Sequence, residues 1–318
     1  MPLPQKKKWN WRSQAARGLA WQLLLLALLG LLLWFLAHNT ALNMQARGIQ
    51  SGFDFLLQPA GFEIGETVFA FDSTQSYWRA FLAGLGNTLR VALLGVVLTT
   101  LLGTLLGVGR FARNALVRGL CVSYVELFRN IPVLLQLLMW YLLLAQGLPT
   151  VDEPWQLGAL QLDKNGLAWL HGPEDALEAL FTLSPEFLAV LLGLTLYTAA
   201  FVAEVVRAGI ASVPRGQGEA AAALGLSRRQ AMRHVLLPQA LRVIIPPLTN
   251  QFLNLTKNSS LAVAVGYPDV VSISNTAINQ TGRAVECIAI VMAIYLCTSL
   301  LTSLLMNWYN ARVAIQER

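Results

Sequence analysis

Long apolar runs separated by shorter polar segments dominate the hydrophobic pattern of this chain. A helix needs about 20 apolar residues to cross the hydrocarbon core of a bilayer. Six runs approach that length and predict six transmembrane helices, at residues 18–37, 85–109, 131–146, 187–206, 243–265 and 284–308. The fifth run is the least apolar, because it carries Asn250, Gln251, Asn254, Lys257 and Asn258.

The composition argues for a membrane protein and against a soluble one. Hydrophobic residues make up 55% of the 318 residues and charged residues 13%, against about 25% charged in an average globular protein. Mean hydropathy is +0.54. We therefore predict an all-α polytopic membrane protein that contacts membrane lipid. The net charge of +6 is more typical of a topology signal than of nucleic-acid binding, so no nucleic-acid partner is expected.

The distribution of Lys and Arg predicts which side of the membrane each segment faces. If the N-terminus lies inside, the inner segments hold 17 of the 23 basic residues but 3 of the 17 acidic ones. Basic residues then cluster in short inner loops, as the positive-inside rule requires. Both termini are therefore predicted to lie inside.

The inner segment 207–242 is longer than an ordinary connection between helices and has helical signals of its own. Its Ala-rich part, 217–224, favours a helix, and Gly225 suits the left-handed position that follows a helix end. The residues after it have the spacing of a capping box, which predicts a second helix from Ser227 to about Leu236, ended by Pro238.

This helix–turn–helix has two interpretations. It could be an amphipathic hairpin that only lies at the membrane surface. Alternatively, the small side chains at 220–223 could let a soluble partner approach the helix backbone closely.

The sequence of the hairpin resembles a known motif. Glu219-Ala220-Ala221, three residues, Gly225, nine residues and then VLLP at 235–238 resemble the EAA loop of binding-protein-dependent ABC importer permeases. Further stretches resemble the polar amino-acid subgroup of that family, namely GLGNTLRVALL (84–94), ELFRNIPVLLQLLMWY (126–141), YTAAFVAEVVRAGI (197–210) and LPQALRVIIPPLTNQFLNLTKNSSLA (237–262). GFDFLLQPAGFEIGE (52–66) is similar to permeases for general or acidic and neutral L-amino acids, which carry an additional N-terminal span.

The resemblance implies a type I importer permease, with a core of five transmembrane helices plus one N-terminal helix, in a bacterial inner membrane. Such a permease pairs with a second chain, the same or homologous, and sits on a dimer of ATPase subunits. A periplasmic or lipid-anchored amino-acid-binding protein delivers the solute. The residues implied to couple this chain to the ATPase are Glu219, Ala220, Ala221, Leu224, Gly225 and Pro238.

The chain itself is not expected to be an enzyme. It lacks the GxxxxGK[S/T] loop that cradles nucleotide phosphates, so ATP and Mg²⁺ are expected on the partner ATPase and no cofactor or metal on this chain. With this topology the chain divides into a basic cytoplasmic N-terminus (1–17), a transmembrane anchor (18–37), a periplasmic segment (38–84), a permease domain with its coupling loop (85–308) and a cytoplasmic tail (309–318).

Polar side chains inside the spans are candidates for the solute path, because burying them costs free energy unless they are partnered or used. An amino acid needs hydrogen-bond donors for its carboxylate and acceptors for its ammonium group. The candidates are Gln136, Tyr197, Thr249, Asn250 and Asn254. The other interpretation is hydrogen bonding between spans.

Other polar and small residues predict structural contacts. Two pairs of opposite charge lie three residues apart and are interpreted as structural, Glu204 with Arg207 and Glu126 with Arg129. Gly103 and Gly107 form a GxxxG motif, which predicts a close helix contact within the chain or across a dimer.

Three other functional classes are open to a membrane protein of this composition. An ion-gradient-driven transporter would use intramembrane acids, but only Glu204 qualifies, and no inverted repeat is apparent. A membrane enzyme is disfavoured because His38, His171 and His234 are too scattered for a metal site. The third is a structural membrane subunit without a solute path.

Overall fold

The computed structural model describes residues 14–46, 48, 51–172 and 178–313. The chain forms two compact units, Met1–Phe53 and Asp54–Arg318. Helix α1, Gln14–Ala46, makes up nearly all of the described part of the first unit. Most of the predicted basic segment 1–17 and the end of the predicted tail 309–318 lie outside the described residues.

The second unit is built mainly from helices. These are α2 Tyr77–Gly109, α3 Ala115–Asn130, α4 Val133–Gly147, α5 Pro185–Ala211, α6 Arg215–Ala223, α7 Arg228–Ala231, α8 Leu237–Asn258, α9 Val270–Thr281 and α10 Ala284–Val313. Short 3₁₀ helices cover Asp54–Leu57 and Ser259–Val265, and a π-helical turn covers Met232–Leu236. Four strands lie between α4 and α5, namely β1 Trp155–Leu157, β2 Leu160–Asp163, β3 Gly166–His171 and β4 Glu178–Leu183.

Four helices in the described part of the chain are long and apolar enough to cross a membrane alone, within α1, α2, α5 and α10. Two bent helix pairs can each supply one more span. The first pair, α3 and α4, bends by 105°, and the second bends by 50° before α9. The mostly helical fold is confirmed, and the number of spans is consistent with the six predicted.

The expected third span, 131–146, corresponds to α4 alone. With 15 residues and a rise of about 1.5 Å per residue, α4 is too short to cross the hydrocarbon core without α3. The bend falls at Ile131, which is extended because a proline follows it. The side-chain amide of Gln136 donates hydrogen bonds of 2.9 Å to the carbonyl oxygens of Phe128 and Ile131, and so satisfies the end of α3.

The prediction that Pro238 ends the second helix of the loop is wrong. Helix α7 continues through the π-helical turn into α8 and then into the 3₁₀ helix Ser259–Val265. Pro238 lies in the first turn of α8, where a missing N–H costs little. The π-helical turn directly before it is the kind of local distortion that accommodates a proline.

Two segments between the predicted spans contain regular structure. Residues 77–82 are the beginning of α2, which starts at Tyr77 and runs on without a break. The segment 147–186 contains a four-stranded antiparallel sheet in the order β1-β2-β3-β4. Its strands have three to six residues, so each is too short for a clear periodic signal.

Helices α2 and α5 run side by side in the same direction. The Thr99 hydroxyl donates to the carbonyl of Thr195 at 3.1 Å, and further along a Cβ on Gly103 would come within 2.6 Å of the Val202 side chain. A Cβ on Gly107 would meet the carbonyl oxygen of Ala203 at 2.7 Å. The GxxxG motif therefore forms a contact within the chain.

Because α2 and α5 run in the same direction, both begin at one end of the second unit and finish at the other. The end that carries the loop 207–242 is called the loop end. At the opposite end, where α2 and α5 begin, lie the sheet and the segment 54–76. We call this segment the strap, and this end the strap end.

The first half of the strap is anchored by a buried ring and an ion pair. Phe55 is 1% exposed, and its ring meets that of Tyr77 edge-on at 5.5 Å. Asp54 forms an ion pair with Arg283, which directly precedes α10. The hydrogen bond from the Arg283 guanidinium lowers the pKa of the Asp54 carboxyl below its usual value. The strap thereby connects the beginnings of α2 and α10.

The second half of the strap is anchored through Glu66. Its carboxylate lies 2.6 Å from a guanidinium nitrogen of Arg90 on α2 and accepts a hydrogen bond from the Ser184 N–H at the start of α5. The side-chain amide of Asn87 donates to the carbonyl oxygens of Glu66 and Pro268, at 2.7 and 2.9 Å. Glu66 therefore joins α2 to the start of α5, and Asn87 of α2 connects it to the turn before α9.

Candidate coupling surface and solute path

The turn that separates α6 from α7 has the geometry that the sequence predicted. Gly225 is left-handed, with φ +77°. Its N–H donates to the carbonyl of Ala222, and the N–H of Leu226 donates to the carbonyl of Ala221, which together form a Schellman motif. A side chain other than Gly or Asn at Gly225 would be strained by its backbone conformation.

The predicted capping box at the start of α7 is confirmed. The N–H of Ser227 donates to Oε1 of Gln230 at 2.9 Å, and the N–H of Gln230 donates to Oγ of Ser227 at 3.4 Å. Both halves of the turn are therefore held by neighbouring residues, and the turn needs no partner from the rest of the bundle.

The surface of α6 is exposed and contains small side chains. Glu219, Ala220, Ala222 and Ala223 are exposed, whereas Ala221 is buried. Leu224, at the end of the helix, is 81% exposed. An apolar side chain this exposed beside small residues is typical of a contact surface. Ala221 differs from its neighbours because it packs inward.

A cavity of about 410 Å³ lies between α6 and the ends of the longer helices. Its walls are mostly apolar and come from the end of α2, the end of α5, α6, the π-helical turn and the start of α8. One hydrogen bond of 3.1 Å, from the side-chain amide of Gln239 to that of Gln217, connects α8 to α6. Helix α6 is therefore only lightly attached to the bundle.

An ion-pair cluster holds the end of α5 directly before the loop. Glu204 accepts hydrogen bonds of 3.1 Å from Nε of Arg207, as predicted, and also pairs with Arg110 after α2. The described residues show no ion pair between Glu126 and Arg129, so that predicted pair is absent. Arg129 instead places its guanidinium 5.2 Å from the ring centre of Phe201 on α5.

Two adjoining cavities lie along α5 and α8. The first, of about 280 Å³, is lined by Tyr197, Thr198, Phe201, Gln251, Asn254 and Asn258. The second, of about 290 Å³, continues toward the loop end and is lined by residues that include Arg129, Glu204 and Pro247. Both share Phe201 and Gln251, so these two side chains stand where one cavity meets the other.

Only two of the five predicted path residues line these cavities, Tyr197 and Asn254. Asn250 is exposed and outside both. Thr249 is buried, and its hydroxyl donates to the carbonyl of Ile245 in its own helix. Gln136 supports the bend between α3 and α4.

The sequence prediction missed four residues of the first cavity, Thr198, Phe201, Gln251 and Asn258. Gln251, Asn254 and Asn258 are spaced i, i+3 and i+7, which places them on one face of α8. That signal was present in the sequence. A second set, Asn250, Asn254 and Lys257, has the spacing i, i+4 and i+7 and predicts a different polar face of α8. The structure shows these three side chains exposed.

The chain matches the family described as binding-protein-dependent transport system inner membrane components over residues 95–315. It belongs to this family. It is therefore a multi-pass permease subunit of a binding-protein-dependent ABC importer, and ATP hydrolysis belongs to a separate subunit. This assignment decides against the ion-gradient-driven, enzymatic and purely structural alternatives.

Relatives with similar sequences extend over nearly the whole chain. The general L-amino acid transport system permease protein AapQ of Rhizobium johnstonii is 39% identical, covering 98% of this chain and 96% of AapQ. The glutamate/glutamine/aspartate/asparagine transport system permease protein BztB of Rhodobacter capsulatus is 35% identical, covering 93% and 92%. The glutamate/aspartate import permease protein GltJ of Escherichia coli is 34% identical, covering 73% and 87%.

Solved structures agree with this assignment. A chain of an amino acid ABC transporter crystallised with histidines superimposes with a TM-score of 0.59 at 29% identity, covering 74% of this chain and 95% of that one. A chain of the inward-facing MetNI methionine ABC transporter has a TM-score of 0.56 at 20% identity, covering 74% and 97%, and supports the fold alone.

Proposed function

We propose that this permease subunit carries amino acids along the two cavities between α5 and α8. The relatives that match nearly the whole chain are named for amino-acid transport. The first cavity offers amide groups and a tyrosine hydroxyl, which can both donate to a carboxylate and accept from an ammonium group. Arg129 adds a positive charge at the second cavity, whereas Glu204 there is already paired with Arg110 and Arg207.

The observation that carries the proposal is the position of the loop. It lies between α5 and α8 in the chain, and these are the two helices that line both cavities. Helix α6 follows α5 after three residues, while α7 continues into α8 through the π-helical turn. A displacement of α6 by a partner therefore acts directly on both walls of the path.

We propose that this partner is the dimeric ATPase, which binds ATP and Mg²⁺ and contacts the exposed surface of α6. Glu219, Ala220 and Leu224 form the contact, Ala221 and Gly225 keep its shape, and Pro238 lies where the loop joins α8. A second permease chain, the same or homologous, completes the channel. The amino-acid-binding protein docks at the strap end.

The proposed setting is a bacterial inner membrane, with both termini inside. The regions are then a cytoplasmic segment 1–17, an anchor 18–37, a periplasmic segment 38–84, the permease domain 85–308 and a tail 309–318. The loop end faces the cytoplasm, and the strap end faces the periplasm.

Two asparagines of α8 offer a matched test of the path. Both side chains are exposed, but Asn254 lines a cavity and Asn250, one turn earlier, lies outside both. In proteoliposomes containing the complete importer, we expect Asn254→Ala to lower ATP-driven amino-acid uptake about tenfold, the effect of losing one or two hydrogen bonds. Asn250→Ala should leave uptake unchanged. Equal effects of the two substitutions would contradict the proposed path.

The same preparation tests the cargo and the energy source. Unlabelled amino acids should compete with a radiolabelled one for uptake, and sugars should not. Uptake should require ATP inside the vesicles and should persist when ion gradients are collapsed.

A further inference from the structure

The four-stranded sheet between α4 and α5 has one apolar face. Across β1 and β2, Trp155 is opposite Leu162 and Leu157 is opposite Leu160. Across the following strands, Trp169 lies between Leu160 and Phe181. Residues directly opposite each other in an antiparallel pair share a face, so these six side chains form one surface, which we call the apolar face. Leu167, opposite Leu162, and Leu183, opposite Leu167, extend it toward α5.

The other face of the sheet is polar on β1 and β2, and on β3 it continues with Ala168 and Leu170. Gln156 is opposite Gln161, and Ala168 lies between Gln161 and Thr182. The side-chain amide of Gln161 donates to the carboxylate of Asp163 at 2.8 Å. The sheet is therefore strongly amphipathic, as expected for one that lies between water and an apolar layer.

The apolar face is only partly covered by the described part of the chain, since Leu160 and Leu162 are half-buried and the outer residues are exposed. Leu157 is 80% exposed and Trp155 is 64% exposed. Phe181 and Trp169, at 44% and 42%, remain only partly covered. Contiguous exposed side chains of this size mark a surface that another apolar body contacts.

The sheet is continuous with the membrane-spanning part of the protein. It follows the end of α4, whose exposed side chains include Leu135, Leu142 and Leu143. At its other end Leu183 packs against the buried cluster that contains Phe187 and Val190 of α5. The sheet thus connects the end of α4 directly to the beginning of α5.

We propose that the apolar face is covered by the lipid bilayer and lies in its interfacial layer at the strap end. Tryptophan is enriched at this depth, where a ring can be apolar on one side and hydrated on the other. The six side chains Trp155, Leu157, Leu160, Leu162, Trp169 and Phe181 carry no charge, so their immersion desolvates none. The proposal rests on the membrane location of the family and not on the identity of the solute.

The binding protein is the less suitable occupant. It must release the permease in each transport cycle, and contacts that form and break are more polar than this face. A second copy of the chain is the remaining candidate for covering the apolar face. Collision rates at a label on the face distinguish it from lipid.

Neighbouring residues of β1 allow a matched test, because Leu157 belongs to the apolar face and Gln156 to the polar one. Starting from a variant in which Cys121, Cys287 and Cys297 are replaced by serine, a nitroxide label is attached to Leu157→Cys or to Gln156→Cys. The labelled permease is studied with its ATPase in phosphatidylcholine nanodiscs, without binding protein. Collision rates with oxygen, which partitions into lipid, and with a water-soluble nickel chelate are measured at each label.

We expect the ratio of oxygen to nickel collisions to be several-fold higher at position 157 than at position 156. Equal ratios would overturn the proposal. Low access of both reagents at 157 would show a covering protein chain, and protection that appears only when the binding protein is added would show docking of that protein. Either result also overturns it.

A second measurement needs no cysteine in the sheet. Brominated lipids quench tryptophan fluorescence only on contact, and the wild-type chain has nine tryptophans. Replacing Trp155 and Trp169 by phenylalanine should remove a lipid-quenched component of the emission. An unchanged quenched fraction would contradict the proposal. Failure of amino-acid transport in the importer would leave this result unaffected, so the two proposals can fail separately.

Discussion

The two ends of the bundle are stabilised in different ways. At the strap end, Glu66 and Asp54 reach residues far away in the chain, Arg90 and Arg283, and Phe55 is buried among the helix beginnings. At the loop end, the turn between α6 and α7 is held by residues within five positions of one another.

This difference indicates what each end does. A strap made of long-range contacts holds the helix beginnings to one another, so the strap end resists separation. A loop that is shaped locally and attached lightly presents a stable surface that can move with a partner. The proposed coupling role fits the arrangement at the loop end. The two ends can be compared by substitutions whose expected effects range from loss of transport to a small pH dependence.

The largest effect is expected at the loop end, where Gly225→Val should abolish ATP-driven uptake. A β-branched residue at φ +77° costs about 1–2 kcal/mol, and the position is otherwise open, since no atom lies within 4 Å of an added Cβ. The turn should therefore reshape while the bundle stays folded. Uptake by the reconstituted importer and thermal unfolding of the permease are the measurements.

Gly225→Asn is the matched control, because asparagine tolerates the left-handed conformation. It should retain most of the uptake. Wild-type uptake by Gly225→Val, or equal loss by both variants, would contradict the argument that the shape of this turn couples the loop.

An intermediate effect is expected at the strap end, where Glu66→Gln removes the negative charge beside Arg90. The two side chains are 12% and 22% exposed, so we expect the variant to lose about 1–3 kcal/mol of unfolding free energy. Thermal unfolding in nanodiscs should show a midpoint lowered by several degrees.

The control for this variant is Glu63→Gln in the same strap. Glu63 is exposed and accepts a hydrogen bond of 3.0 Å from the Ser73 N–H, which glutamine can still accept. Its midpoint should change little. If both variants shift the midpoint equally, the Glu66 contacts are not what anchors the strap.

The smallest effect is the pH dependence contributed by Asp54. Because Arg283 lowers the pKa of Asp54 in the folded chain, its contribution to stability is present above the ordinary aspartate pKa of about 3.9 and is lost as the pH falls through the lowered value. The difference in unfolding midpoint between wild type and Asp54→Asn should be constant near neutral pH and shrink below about pH 4.

Asp152→Asn serves as the comparison, since Asp152 is exposed and has no ion pair among the described residues. If the difference in unfolding midpoint between wild type and Asp54→Asn does not change in acid, the ion pair is not its cause. The same conclusion follows if Asp152→Asn shows an identical dependence of the midpoint on pH.

Much of this molecule was predictable from local sequence. Apolar runs identified the regions that span the membrane, and the order of small and polar residues identified the caps at Gly225 and Ser227. These features depend on residues within one or two turns, so a single sequence contains the physical information that they need.

The solute path was less predictable. By helical spacing, Asn254 can share a face of α8 either with Gln251 and Asn258 or with Asn250 and Lys257. Which side faces α5 depends on how α8 packs, and the sequence of one helix does not contain that rotation. Arg129 was likewise assigned to the wrong partner, because its contact with Phe201 joins two different helices.

The sequence by itself determined the membrane class, the family motifs and the shape of the coupling turn, since hydropathy and backbone preferences act over short distances. Only the tertiary structure decided which polar residues of α8 line the cavities, that Gly103 and Gly107 contact α5, and that α3 and α4 meet at a bend of 105°. It also revealed the amphipathic sheet. These features depend on residues far apart in the chain, and their energies come from packing that no local pattern encodes.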